Sequence, residues 1–342
     1  MTANKKKNNP LTAVYVISLL VAIIVIIAFM LFNFLTKKYN GEPYRLKIPH
    51  GATIEQIEDS LANLDLFGED VYTVWKYYGS SPTTARGSYL IEPGESVLDV
   101  AKRLKSGRQT PVKLSFNNVR TINQLADRIA DKMDFTAEEF IEALDEILPD
   151  AGFTKPQYPA AFIPDSYEFY WTASPQKVIS TLLDYRNKFW TDERRQAASA
   201  LGLTPVGVAT IASIVEEESS KNDERPIIAR LYINRLDRNM PLQADPTVKF
   251  AVGDFGLRRI TGKHLQVNSP YNTYKVNGLP PGPIRVVDRK TLEQVLTAPR
   301  NEYLYMCARE DFSGYHNFAR DLAEHNANAA RYRAELNRRG IK

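Results

Sequence analysis

Residues 11–35 form one apolar run without a formal charge, closed by Lys37 and Lys38, and no later stretch of the chain repeats it. At 1.5 Å of rise per residue such a run makes a helix of about 37 Å, longer than the roughly 30 Å hydrocarbon core of a bilayer. A cleaved leader would have an apolar region of about 7–15 residues ending in a small-x-small step. This run ends Leu-Thr-Lys-Lys-Tyr, which predicts an uncleaved transmembrane helix over 11–35. Lys5, Lys6 and Lys7 precede it with no acidic neighbour, so the positive-inside rule places residues 1–10 as a cytoplasmic tail. In a bacterial cell the expectation is a single-pass protein of the cytoplasmic (inner) membrane, with everything beyond about Tyr39 extracytoplasmic (periplasmic).

Beyond the span the pattern alternates between short extended stretches and amphipathic helices. Three segments share one design, a strand, a turn and a capped helix: Arg45 to Ile57, Ser88 to Val100 and Val112 to Leu125. In each, Thr53, Ser96 or Thr121 stands at an N-cap position with Gln56, Asp99 or Gln124 three residues later, a capping box or its near variant. Apolar pairs four apart (Ile57/Leu61, Val100/Leu104, Leu125/Ile129) mark the buried helix faces. This predicts an α+β region over 43–133. Thr136-Ala-Glu-Glu139 opens a connecting helix over 134–149, and Pro149-Asp-Ala-Gly ends it. A mixed α+β domain is expected over 150–342, and the overall class is α+β.

Composition narrows the function. Of 342 residues 44% are hydrophobic and 25% charged, which excludes a disordered or collagen-like chain. A net charge of +4 without a dense basic cluster argues against nucleic acid as partner. Cys307 stands alone and the histidines are scattered at 50, 264, 316 and 325, so no structural metal cage is expected. A compartment without ATP or NADH also predicts cofactor-free chemistry.

Thr204-Pro205 is an N-cap followed by proline at the first helical position, and the helix it opens runs Val-Gly-Val-Ala-Thr-Ile-Ala-Ser-Ile-Val-Glu-Glu-Glu218. Taking Ile211 as zero, Glu218 falls near 340°, inside the apolar stripe, while Glu216 and Glu217 fall near 140° and 240°, on the flank and back. A carboxylate on an apolar face at a helix C-terminus is disfavoured as an anion by desolvation and by the macrodipole. Both raise its pKa, and a neutral carboxylic acid near pH 7 is what protonation of a leaving glycosidic oxygen needs. The plainer reading is a frayed, solvated helix end carrying three glutamates.

Polar clusters downstream favour the first reading. A helix capped by Asn222 or Asp223 carries Asn234 and Arg235 near its end. Gln243, Asp245 and Thr247 alternate in a segment read as extended, and so share one side. Ser269-Pro-Tyr271-Asn272-Thr273-Tyr274 offers amide, hydroxyl and aromatic groups suited to sugar hydroxyls and ring faces. Gly278-Leu-Pro-Pro-Gly282-Pro-Ile284 is a rigid turn, either a cleft wall or loop punctuation. His316 and His325 fit no zinc-protease spacing, which favours structural or substrate-orienting histidines.

Taken in order, Ile211-Ala-Ser-Ile-Val-Glu-Glu-Glu218, Ile233-Asn-Arg-Leu236, Leu242-Gln-Ala-Asp-Pro-Thr-Val248, Ser269-Pro-Tyr-Asn-Thr-Tyr274, Gly278-Leu-Pro-Pro-Gly-Pro-Ile284 and Glu324-His-Asn326 resemble the motifs of the YceG-like (MltG) endolytic murein transglycosylases. The resemblance extends to the topology of one anchor, a LysM-like region and a catalytic domain. It implies cleavage of the β-1,4 bond between N-acetylmuramic acid and N-acetylglucosamine in nascent peptidoglycan strands, leaving a 1,6-anhydro end. It implies Glu218 as the catalytic residue, and work beside peptidoglycan synthases. The chain departs from the family pattern at Glu217, where Lys is common, and at Asn268, where Asp is frequent. Expected substrate-binding residues are Gln243, Asp245, Thr247, Tyr271, Asn272 and Tyr274, with Asn234, His316 and Glu324 as further candidates. No metal or cofactor is expected. A muramidase-type hydrolase and a non-catalytic wall-binding or division scaffold are the other classes, and the region over 43–133 fits wall binding or simple spacing equally.

Overall fold

A computed structural model describes residues 10–257 and 259–340. The lysines at 5–7, and with them the expectation for residues 1–9, lie outside the described part. The chain is α+β and divides into two compact units, 1–112 with 168–172, and 113–167 with 173–342.

In the first unit, α1 (Pro10–Thr36) has 27 residues, about 40 Å of helix, and its apolar side chains up to Phe32 are exposed. Among the described residues it is the single helix long and apolar enough by itself to cross a membrane, with mean hydropathy 3.2. Its last turn is different, because Phe34 and Leu35 pack against the unit's core. The chain continues as β1 (Tyr44–Ile48), α2 (Ile54–Ala62), α3 (Asp65–Tyr77), α4 (Pro82–Ala85), β2 (Gly87–Ile91) and α5 (Val97–Ser106). The capping signals act as read: Thr53 and Gln56 form a reciprocal capping box on α2, and Ser96 accepts from the Asp99 amide on α5. β1 and β2 are antiparallel, with Tyr44 opposite Ile91 and Ile48 opposite Gly87. Alternation along both strands turns Leu46, Ile48, Tyr89 and Ile91 inward, onto Ile57, Leu61, Trp75 and Leu104.

The third strand-helix segment does not join this sheet. β3 (Val112–Ser115) pairs with β4 (Ser166–Phe169), and α6 (Ile122–Ala130), capped by Thr121, packs on α7 (Ala137–Asp150), which carries the Thr136/Glu139 capping box. The ranges read from the pattern, 43–133 and 150–342, therefore differ from the compact units. Leu125 and Ile129 are fully buried and belong to the second unit together with Phe140 and Leu144, so α6 and α7 go with the C-terminal part.

The second unit continues through α8 (Pro175–Phe189) and α9 (Asp192–Ala200) to α10 (Pro205–Glu218), whose Thr204 cap accepts from the Gly207 amide. Every residue of α10 from Gly207 to Glu216 is buried, so this helix is the axis of the unit. α9 and α10 meet the length and composition test for a membrane span only as a pair bent by 71°, and the apolar surface of α10 is already covered by protein. Around α10 pack α11 (Arg225–Asp237), α12 (Asp245–Val252) and α13 (Arg289–Leu296). β5 (Tyr305–Ala308) and β6 (His316–Ala319) form an antiparallel hairpin, and α14 (Leu322–Arg338) lies against it.

The proline-glycine turn at 278–284 serves packing. The Ile284 amide donates to Ser213 Oγ of α10 at 3.0 Å. A Cβ at Gly282 would sit 1.9 Å from the Pro156 carbonyl oxygen, so only glycine lets these two backbones meet. Gly282→Ala is expected to cost about 1–3 kcal/mol, the usual range for forced overpacking, read as a lower unfolding midpoint in denaturant.

Candidate active site

The three consecutive glutamates at the end of α10 have three different environments. Glu217 is held between two guanidinium groups, with Arg285 Nη1 donating at 2.7 Å and Arg120 donating through Nε at 3.3 Å and Nη2 at 3.0 Å. Glu216 is buried, accepts from the Asp288 amide at 3.0 Å and lies 3.2 Å from Arg285 Nε. Neither is left to water, although the helical wheel put them on the flank and back of the helix, away from the apolar stripe. A helix with protein on every side has no solvent face to which the wheel could assign them. Arginine partners solve the problem instead; Glu217 borders only a pocket of about 30 Å³, and Glu218 opens onto a much larger cleft.

That cleft has a volume of about 440 Å³. Glu218 sits in its wall, partly exposed, where its Oε1 accepts a hydrogen bond from Tyr232 Oη at 3.0 Å. Opposing elements supply Gln243, Asp245 and Tyr274, and the β5–β6 hairpin with α14 supplies Tyr305, Cys307, His316 and His325. Tyr274 Oη donates to Asp245 Oδ1 at 2.7 Å. Gln243 adopts φ 52°, a left-handed conformation rare for a side chain with a Cβ, and its amide is fixed by the Thr273 carbonyl at 3.0 Å. Arg235 ties the walls together: it donates to the carbonyls of Leu304, Pro241 and Leu242 and to Gln243 Oε1, with its guanidinium 5.2 Å from the centre of the Tyr305 ring. His325 stacks on the same ring at 5.3 Å, giving an aromatic surface.

Of the residues singled out from the sequence, Glu218, Gln243, Asp245, Tyr274 and His316 meet in this cleft. Others lie behind it. Thr247 is fully buried and bonded to Thr273 Oγ1 and the Ala244 carbonyl. The segment read as extended enters α12 at Asp245, with Gln243 just before the helix, because Asp245-Pro246 suits a helix start as well as a turn. Asn272 is fully buried, donating to the Leu265 and Val267 carbonyls and accepting from the Tyr274 amide, so it shapes the loop that presents Tyr274. Asn234 donates to the Asn301 and Tyr303 carbonyls. Tyr271 packs on Phe250, and Glu324, in the first turn of α14, is exposed and accepts from the Arg320 amide while Asp321 caps the helix. The turn at 278–284 contributes no lining residue. Neither Asn222 nor Asp223 caps α11: Glu224 stands at its N-cap position and makes no side-chain cap bond there.

Sequence reasoning missed Tyr232 and Tyr305. Tyr232 lies on α11, a helix whose apolar pattern is broad enough to absorb one more aromatic as core. A tyrosine fourteen residues from Glu218 carries no local signal that its hydroxyl reaches a carboxylate. Among the described residues no three His, Cys, Asp or Glu side chains cluster as a metal site would require.

Burial pushes the Glu218 carboxyl up to about 7, with the Asp245 charge adding to the rise and the Tyr232 hydrogen bond opposing it. Burial likewise raises Tyr232 well above the ordinary phenol value, so it remains a donor. Because Tyr232 donates to Oε1, the acid proton of Glu218 resides on Oε2.

The YceG-like family pattern matches residues 46–331. A Bacillus subtilis protein named endolytic murein transglycosylase is 28% identical over 312 residues, covering 85% of each chain. A protein of the same name from Streptococcus pneumoniae D39 is 26% identical over 319 residues, covering 83% of this chain and 57% of that longer one. The crystal structure of a yceG-like protein from Listeria monocytogenes superposes with a TM-score of 0.54 at 27% identity, covering 84% of this chain and 99% of that one.

Two measurements probe the electrostatics. The folded protein keeps a proton on Glu218 that the unfolded chain releases near pH 4.5, so this group's contribution is complete below that pH and is lost as pH rises to about 7. Glu218→Gln is therefore expected to match wild type in stability near pH 4 and exceed it near pH 8 by up to about 3 kcal/mol, read from denaturant midpoints across pH. Tyr232→Phe removes the donor that favours the anion. A carboxyl-carbon NMR titration should find Glu218 raised further, by up to about one pH unit for one hydrogen bond.

Proposed function

The chain belongs to the YceG-like family, and from that premise we propose that it is a peptidoglycan lytic transglycosylase, held at a membrane by α1, that cuts the β-1,4 bond between N-acetylmuramic acid and N-acetylglucosamine inside glycan strands. The observation that carries the reading is Glu218: a carboxyl raised to about 7 by burial, in the wall of a cleft large enough for sugar rings.

The reaction needs one proton moved twice. Protonated Glu218 gives its Oε2 proton to the glycosidic oxygen as the C1–O bond breaks, and the positive charge growing at C1 faces the charge of Asp245. The carboxylate thus formed takes the proton of the muramic acid C6 hydroxyl while O6 attacks C1. A 1,6-anhydro ring closes, Glu218 is protonated again and no water is consumed. The nucleophile is tethered to the electrophile, so a high effective concentration replaces an activated water. Tyr232 holds the acid through both steps, and the Tyr305–His325 surface offers an apolar face for a sugar ring.

Position along helices supports the division of labour between the two carboxyls. Glu218 ends α10, where the macrodipole opposes an anion, while Asp245 opens α12, where it favours one. The presence of two carboxyl groups in one cleft also favours a second reading, a hydrolase with Asp245 activating water. In the first unit β1, α2, α3, the single-turn α4 and the antiparallel strand β2 make a small strand-helix unit, which supports a LysM-like reading of that part, for wall binding or spacing.

Digestion of uncrosslinked glycan strands by the full-length chain in detergent separates the readings. Anhydro-ended products are expected; ends heavier by one water would establish the hydrolase instead. Glu218→Gln is expected to lower product release at least about a hundredfold. Full activity in that variant would remove Glu218 from the mechanism. The rate should decline as pH rises through about 7, when the acid loses its proton.

A further inference from the structure

The loop between α10 and α11 holds a second buried carboxylate for which the reaction above has no use. Glu224 is 3% exposed and stands at the N-cap of α11. Its Oε1 accepts from the His316 backbone amide at 2.7 Å. Its Oε2 lies 3.0 Å from His316 Nδ1 and accepts from Ser219 Oγ at 3.3 Å, and Ser219 is the residue next to Glu218. The neighbouring pair repeats the arrangement, with Tyr315 Oη donating to Asp223 Oδ2 at 3.2 Å. Two consecutive residue pairs, 223 with 315 and 224 with 316, thus register this loop onto β6.

His316 lines the cleft that contains Glu218. With the His316 backbone amide and Ser219 Oγ donating to it and a helix N-terminus behind it, the Glu224 carboxylate acts as an acceptor, so the ring nitrogen facing it carries a proton. In a neutral imidazole the other nitrogen, Nε2, is then a bare acceptor. The chemistry is that of any buried carboxylate that sets a histidine's tautomer and orientation, here applied to a ring at the edge of a saccharide-sized cleft.

We propose that Glu224 is a positioning residue that acts through His316, fixing Nε2 in the cleft wall as an acceptor for a sugar hydroxyl of the bound strand. The nature of that hydroxyl donor rests on the glycan-cutting reading; the state of the ring does not. The same carboxylate, through Ser219, ties the end of the acid's helix to the strand bearing His316, so the two groups that face the sugar share one support.

The test uses the full-length chain in detergent micelles, labelled with 15N at its four histidines. The wild-type His316 signal is expected to show the proton on Nδ1, and Glu224→Gln to disturb that tautomer. On glycan strands Glu224→Gln and His316→Gln should each lower kcat/KM roughly three- to tenfold, the worth of one hydrogen bond between neutral partners. In the His316→Gln background the Glu224→Gln change should add nothing further, since one residue acts through the other. A wild-type proton on Nε2, losses that add in the double variant, or an unaltered kcat/KM in His316→Gln would each overturn the proposal. The wild-type tautomer decides even if Glu224→Gln fails to fold. Absence of any cutting by the wild-type chain would sink the glycan reading, and the ring measurement would still stand by itself.

Discussion

The site depends on one constraint, the partial withdrawal of a carboxyl group from water at the end of a helix that is itself enclosed. α10 is buried from Gly207 to Glu216, so whatever follows emerges among protein atoms. Burial is the largest cause of the rise at Glu218 to about 7, and the hydrogen bond from Tyr232 limits that rise. Had the same residue ended a surface helix, water would have solvated its charge and left an ordinary carboxylate. The fold makes an acid out of a common side chain by where it stops a helix.

Placing three glutamates in succession at such a point requires that the other two be neutralised. Arg285 does most of this, reaching both Glu216 and Glu217, and Arg120 completes the grip on Glu217. Arg120 grips Glu217 with the arginine fork, through Nε and Nη2, which matches carboxylate geometry, while Arg285 meets Glu217 through Nη1 and stays charged in partial burial. Breaking one partner would leave a buried charge alone, so the pairs are a structural necessity more than a source of stability. Their effect on chemistry is indirect: they pull two carboxylates away from the cleft and leave the third facing it.

Helix ends distribute the remaining charge. Glu218 lies where a helix finishes, while Asp245 and Glu224 lie where helices begin. The backbone amides at a helix start favour an anion, and the carbonyls at a helix finish oppose one. Backbone direction thereby adds to burial in setting Glu218 apart from the other two. Arg235 holds the surrounding loops in place through backbone carbonyls, which fixes the cleft walls without adding a group that competes for substrate.

What the sequence determined by itself was local. The apolar run of α1, the N-caps of α2, α5, α6, α7 and α10, and the break of pattern at Glu218 are all written within a few neighbouring residues, because capping and periodicity act over one or two turns. Tertiary structure decided the rest. Thr247, Asn272 and Asn234 carry the same polar groups as Gln243, Asp245 and Tyr274, yet they spend them on backbone carbonyls and buried hydroxyls. Nothing local distinguishes a polar group that holds a loop from one that faces a cleft. The partners of Glu218 and Glu217, namely Tyr232, Arg120 and Arg285, come from distant positions. Only the packing of α10 against α11, α12 and α13 brought such groups within reach of each other, and with them the burial that sets the acid's proton affinity.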